Sequence, residues 1–485
     1  MIMDLPSSKI FATVLGLVCS ASLSAQQPMQ DCSAALTAHA VAHCMNASRN
    51  QASAPVIDLA HTYTLPELID IAEASSPASR IAWTEAKRAM ELAGVDRALY
   101  LPLLSLELQG SDARTIVPFP KPIAPRGYVT AELPAAVGQL ELGYTLLDFS
   151  RASTVSASKA REIGSTLRFG RVQQDLAYTT AARYYDAQQA MGQLDAAKTV
   201  LLTAQTLLSN AQSQFDNGRA TIPDLQNAQA GAAEAQYNVA SAEGDARKAK
   251  LALTEAIGVE PSPAIQIPSE DQAHSAEELN ASIEDLLQTA WKSRPDLLAR
   301  AQDLRSAKED VRSAHAAYLP KVKLQLAGGE TATWPTADFG QLGYANVSTW
   351  SASAGLRWDI FNGARGHELA SAVAAQKAAT EEQRAAHDAV TRQVWDAYVD
   401  FQTAVEQERS SRAFLAAAQT SYDSSLDAYK YGVRSLVDVV QAEQQLAQAR
   451  FTSVRAYVRL MQSGVALRYA TGELVQPPSP EGNRP

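Results

Sequence analysis

Between residues 190 and 215 the apolar and small side chains fall at Ala190, Leu194, Ala197, Leu201, Ala204, Leu208, Ala211 and Phe215, at alternating steps of four and three. That is the heptad period, and it predicts a long helix packed along a coiled-coil seam. The same stepping returns at Ala404, Glu408, Ser411, Leu415, Ala418, Tyr422, Ser425 and Tyr429. Each seam has a returning partner, from Ala228 to Leu253 and from Ala442 to Ala470. Small residues alternate with larger ones along all four, so neighbouring helices can approach closely and interlock. A helical run of about 60 residues spans about 90 Å at ~1.5 Å per residue, too long for a compact globule.

Elsewhere the period becomes two, which predicts strands. Leu104, Leu106 and Leu108 alternate with Ser105, Glu107 and Gln109, and Val322, Leu324 and Leu326 alternate with Lys321, Lys323 and Gln325. A second strand follows in each half: Leu140, Leu142, Tyr144 and Leu146 in the first, and Trp350, Ala352, Ala354, Leu356, Trp358 and Ile360 in the second. The intervening loops, VPFPKPIAPRG and PTADFGQLGYA, carry the prolines and glycines that end strands. Each half thus contributes one hairpin, and the chain four strands.

The chain is two copies of one plan, and a repeat decides architecture before local detail does. ALYLPLLSLEL in the first copy answers AAYLPKVKLQL in the second, and LDFSR at 147–151 answers FNGAR at 361–365. FDNGRATIPDLQNA at 215–228 answers YKYGVRSLVDVVQA at 429–442, with Gly218 and Gly432, and Asp224 and Asp438, in matching places. The glycines mark where one long helix stops, because glycine accepts the left-handed conformation that ends helices. Thr221 and Ser435 then stand as N-caps, with an aspartate three residues on, close to a capping box. The expected organisation is 1–25 leader, 26–60 extension, 61–275 first repeat, 276–474 second repeat and 475–485 disordered tail.

Composition sharpens this picture. Of 485 residues, 46% are hydrophobic and only 7% aromatic, and alanine is abundant, which favours helix over sheet. Lys9, the apolar run Ile10–Val18 and the small residues before Gln26 read as a secretory signal, cleaved near Ala25. The run is far short of the ~20 residues that a spanning helix needs. Lipidation at Cys19 is the alternative, disfavoured by Val18 before it. Cys32 and Cys44 would survive in an oxidising compartment. A disulfide leads the readings for them, ahead of free thiols and of a metal site shared with His39 and His43. The net charge of −10 lacks the basic stripe that nucleic acid requires.

Four amphipathic strands leave sheet edges unpaired and an apolar face uncovered. One strand face carries Leu, Trp and Tyr and the other Glu, Gln, Lys, Ser and Thr, the pattern of strands between lipid and a watery lumen. In a bilayer only a closed barrel satisfies every backbone group, so closure across several chains is expected. A soluble sheet packed on helices is the alternative.

With these features in order, residues from about 60 to 474 resemble the TolC-type outer membrane efflux family. The matching segments are TLPELIDIA with SSP, SIEDLLQTA with RPDL, the two YLP strand starts, FNGAR and YGVRSLVDV. The resemblance implies a mostly α fold with a membrane β-barrel portion: a homotrimer whose four strands per chain close a twelve-stranded barrel in outer-membrane lipid. Long helical hairpins continue it as a tunnel across the periplasm. It implies docking against a periplasmic adaptor and an inner-membrane pump, passive export of drugs or other toxic small molecules, and no catalytic centre, cofactor or metal.

Carried over by residue, Gly218 and Gly432 become the periplasmic tips that face the adaptor, with Val433, Val437 and Val439 beside the second. Asp224, Tyr429, Arg434 and Asp438 become the gate that closes the tunnel. Asp438 matches the first position of an aspartate ring, whereas the second falls on Gln441. The first tip departs from the family pattern through Asn217 and Pro223. Type I protein secretion is the alternative use of such a duct, and a periplasmic coiled-coil adaptor is the rival of another class. An enzyme finds no support: there is no nucleophile elbow and no phosphate-cradling loop, and only the His39 and His43 pair lies close in sequence among seven histidines.

Overall fold

The computed structural model describes residues 58, 60–122, 124–268, 281–338, 340–431 and 433–474. The expected leader, Cys32, Cys44, the extension up to residue 57, Gly432 and the tail lie outside them. In the first repeat, α1 (Leu65–Ser75) and α2 (Pro77–Arg97) lead to strands β1 (Leu103–Ser111), β2 (Arg114–Pro118), β3 (Tyr128–Glu132) and β4 (Ala135–Leu147). The long α3 (Phe149–Asp216) and the returning α4 (Ile222–Ala256) complete it. The second repeat has α5 (Ile283–Ser293), α6 (Pro295–Ala316), β5 (Lys321–Thr333), β6 (Thr336–Ala337), β7 (Gly340–Gln341), β8 (Ala345–Arg357), α7 (Ala364–Lys430) and α8 (Leu436–Thr471) in the same order.

The heptad seams become the helix contacts. On α3, Ala197, Ala204 and Ala211 are buried, and on α7 Ala404, Glu408, Ser411, Ala418, Tyr422 and Ser425 are. The α3 and α7 helices run 68 and 67 residues, so each is about 100 Å long. Helix α3 packs against α4, α6, α2 and α8, while α7 packs against α8, α6 and α5. Alanine at the contact positions permits these close approaches and leaves little side-chain entropy to lose. The buried carboxylate of Glu408 is matched by Arg412 one turn on.

The sheet departs from the expected four unbroken strands. Each strand is interrupted once, giving two antiparallel sheets of the same order, β1-β4-β5-β8 and β2-β3-β6-β7. Pro134 and Pro335 stand at two of the breaks, and proline has no N–H for the ladder. Bonds bridge the gaps instead: Trp334 N–H donates to Pro134 O at 3.1 Å and Leu133 N–H to Ala113 O at 2.9 Å. The last strand ends at Arg357, so Trp358 and Ile360, expected within it, lie in the turn before α7.

Register sorts the alternating residues into two faces. Leu106 stands opposite Leu140, Leu104 opposite Leu142, and Leu142 opposite Leu326, while Glu107 faces Gln139 and Gln325 faces Ser353 on the other side. Gln139 Nε2 donates to Glu107 at 3.0 Å and to Glu141 at 2.9 Å, tying the polar face together. Among the described residues the outer strands β1 and β8 have no neighbour beyond them, and every residue in both is exposed.

The sequence landmarks meet where strand turns into helix. Arg151, of LDFSR, is buried with its guanidinium 5.1 Å from the ring of Tyr100, of the first YLP, and it donates to Thr145 O. Arg365, of FNGAR, repeats the contact over Tyr318, of the second YLP, at 5.6 Å, and donates to Asp359 O at 2.5 Å. The duplicated motifs are therefore one clamp built twice, in which an arginine holds the strand end and stacks on an aromatic face.

A third polar cluster lies between α6, α7 and α8. Arg294, 1% exposed, binds Asp296 through two nitrogens at 3.0 and 2.6 Å, Gln393 Oε1 at 2.7 Å and Ala470 O at 3.3 Å. Gly472, at φ 82°, lies against the Arg294 backbone so closely that a Cβ would come within 3.2 Å of it. The RPDL motif thus seats a buried fork bonded to a carboxylate, a side-chain amide and a backbone carbonyl.

Candidate functional site: the two helix tips

The α3 helix ends because Gly218 takes φ 72°, which only glycine adopts without strain. Gly218 N–H donates to Phe215 O at 2.9 Å and Arg219 N–H to Gln214 O at 2.8 Å, the paired bonds of a Schellman ending. At the second tip Val433 N–H donates to Ala428 O at 2.8 Å, the equivalent of the Arg219 bond.

Each returning helix then opens on a capping box. Asp224 Oδ2 accepts from Thr221 N at 2.9 Å and from its hydroxyl at 2.6 Å, and Asp438 Oδ2 accepts from Ser435 N at 3.0 Å and its hydroxyl at 2.8 Å. In both carboxylates these bonds fall on Oδ2. The Thr221 hydroxyl, then its backbone N–H, hold the Asp224 carboxyl below the usual range. The Ser435 hydroxyl and N–H do the same for Asp438, with a smaller contribution from the Arg434 charge.

Of the predicted gate residues, Asp224 and Tyr429 come near each other from different repeats: burial raises the Tyr429 phenol, and the Asp224 charge raises it further. Arg434 reaches inward instead, its Nη1 donating to the buried Ser425 hydroxyl at 3.1 Å. Within one chain no ion pair joins the four among the described residues. A polar cleft lies between the tips, lined by Gln214, Asn217 and Arg219 from the first and by Tyr429 and Lys430 from the second.

The expected docking residues divide. Val433 is 78% and Val437 51% exposed, whereas Val439 is fully buried among Leu207, Ala211, Tyr422 and Leu446. Val439 is thus a packing residue between the hairpins, because two positions past Val437 the helix has turned its face to the seam. Two exposed apolar residues escaped the sequence reading, Tyr431 at 85% and Ile222 at 59%. Glu443 escaped it too. It follows the seam residue Ala442, and burial pushes its carboxyl up to about 7. A glutamate next to a seam alanine was the available cue.

The sequence matches the outer membrane efflux protein family over residues 68–259 and 286–473. Protein CyaE of Bordetella pertussis is 28% identical over 425 residues, covering 87% of this chain and 86% of that one. The outer membrane efflux protein BepC of Brucella suis is 23% identical over 339 residues, 69% of this chain and 72% of that one. Among solved structures, the outer-membrane channel OprN superposes with a TM-score of 0.69 at 19% identity, over 87% of this chain and 94% of that chain. The duplicated helical hairpins, the open sheet and these matches agree, and the chain belongs to the outer membrane efflux protein family.

Proposed function

We propose that three copies of this chain form the outer-membrane exit duct of an efflux system, a passive conduit for small toxic molecules. An adaptor in the periplasm docks on the tips, and a pump in the inner membrane supplies the energy. One observation carries the reading: a four-stranded sheet with an apolar face ends in two bare edges, β1 and β8. In lipid such edges leave unpaired N–H and C=O groups that cost several kcal/mol each. Pairing β1 of one copy with β8 of the next removes every edge, and three copies make a barrel of a size found in outer membranes. Leu104, Leu106, Leu108 and Trp350 then face lipid, and Glu107, Gln139 and Glu141 face the lumen.

At the inner end, Tyr431, Val433, Val437 and Ile222 offer exposed apolar contacts to an adaptor's helical hairpin. The Asp224 and Asp438 carboxylates, with Tyr429 and Arg434, supply the links between neighbouring tips that close the tunnel. Exposed links of this kind are worth ~0.2–1 kcal/mol each, so an adaptor can break them. The test is fractionation followed by electrophoresis with and without boiling, and then planar-bilayer recording. A heat-sensitive trimer in the outer-membrane fraction that conducts in bilayers is expected; a soluble, non-conducting monomer defeats the reading.

A further inference from the structure

The β2–β3 hairpin projects beyond its partner. Strand β2 pairs with β3 from Arg114 and Glu132 to Pro118 and Tyr128, whereas β3 meets β6 only at Ala131 and Glu132. Its far end is preformed, with Phe119 N–H donating to Gly127 O at 3.1 Å and Gly127 N–H to Ala124 O at 2.9 Å. From Arg114 to Ala131 the chain holds Arg114, Lys121 and Arg126 and no aspartate or glutamate. None of the three cations makes an ion pair among the described residues.

The carboxylates that approach the ribbon stay at its base. Glu132 lies opposite Arg114 in register, Asp112 precedes it, and Asp338 accepts from Thr130 N–H at 3.1 Å. Lys121 and Arg126 lie at the other end. Around the cations, Ile116, Phe119 and Tyr128 are exposed. The ribbon follows the end of the sheet farthest from the helices. The apolar rows of that sheet give way there: Glu330 and Ser348 stand in the same register row as Leu108, one row beyond Trp350, and Asn346 stands in the next. Its level is therefore that of headgroups rather than of acyl chains.

We infer that the β2–β3 ribbon binds the phosphate-bearing headgroup of an anionic glycolipid in the outer leaflet, using Arg114, Lys121 and Arg126 beside Ile116, Phe119 and Tyr128. The inference rests on the outer-membrane placement given above. Unpaired arginine and lysine with aromatic flanks suit such a surface: the cations meet phosphate oxygens while the rings and stems cover the sugar and glycerol edge. A free phosphate ion offers the same charge but nothing for the apolar flank.

The test uses full-length protein in detergent micelles, equilibrated with lipid A, with phosphatidylcholine or with inorganic phosphate, and bound ligand is counted by native mass spectrometry. Lipid A is expected to bind in preference to phosphatidylcholine, and R114Q/K121Q/R126Q to weaken it by about tenfold or more. Equal binding of the two lipids, or unchanged lipid A binding in the triple variant, overturns the inference. Inorganic phosphate competing at equal concentration overturns the lipid as its source. Insertion into pure phosphatidylcholine vesicles separates this outcome from failure of the duct reading, since a duct without the headgroup site still inserts and conducts.

Discussion

Single residues at the tips hold a helix start with few atoms. Asp224 and Asp438 cap their helices through one oxygen each, and replacing Thr221 or Ser435 by alanine is expected to cost about 1 kcal/mol per cap. Because both carboxyls are depressed, that support is full above the ordinary aspartate value near ~4 and is lost as pH falls below it through the lower folded values. Gly218→Ala meets no neighbouring atom, so its cost is purely one of backbone, about 1–2 kcal/mol, read as a lower melting temperature and faster amide exchange around residue 218. Glu443 has the opposite sign from the aspartates. Its carboxyl is raised to about 7 by burial, so the folded state favours the protonated form. The penalty is absent below the unfolded value near ~4.3 and complete above 7. Glu443→Gln should therefore raise the melting temperature at pH 8, by about 1–2 °C, and leave it unchanged at pH 4.

Between elements, the two ends of the helical part are held differently. Arg97–Glu162, Arg161–Asp310, Arg168–Asp303 and Arg300–Glu382 link α2, α3, α6 and α7 in succession at 2.5–3.0 Å. Nearer the tips, the helix pairs α3–α4 and α7–α8 rest on alanine seams, and among the described residues Arg459–Asp400 at 3.4 Å is the ion pair that crosses between helices. Amide exchange is therefore expected to be faster in α4 and the tip end of α7 than in α6, and uniform protection would contradict this. Arg294 is the costly element contact. Arg294→Ala leaves Asp296 half-buried and unpaired, an expected loss of about 3–5 kcal/mol, and Arg294→Lys recovers only part because lysine cannot reproduce the fork.

For the whole molecule, the constriction of the proposed trimeric duct would be set by what each chain contributes around its axis. Asp438 brings one carboxylate, and the exposed Gln441, one turn on, brings none. Gln441→Asp is expected to strengthen block of the open channel by multivalent cations severalfold, and Asp438→Asn to weaken it. Bilayer recordings with magnesium on the periplasmic side read both. The whole-molecule fold was largely legible because its repeat is long and its seams are regular. Residues such as Ala404, Ser411 and Ala418 are buried where their period placed them. Val439 and Glu443 were not legible, since a helix-facing direction near a tip depends on which neighbouring hairpin closes over it.

By itself the sequence determined the repeat, the helix seams, the capped tips and the alternating strands, because each follows from a local period or from the conformations that glycine and proline allow. It also supplied the family motifs without showing that their residues touch. Only the tertiary structure decided that the landmark arginines stack on the landmark tyrosines, that proline breaks each half's sheet in two, and that Asp224 and Tyr429 of different repeats come near each other. Contacts between distant parts of a chain are settled by packing, which no local period encodes.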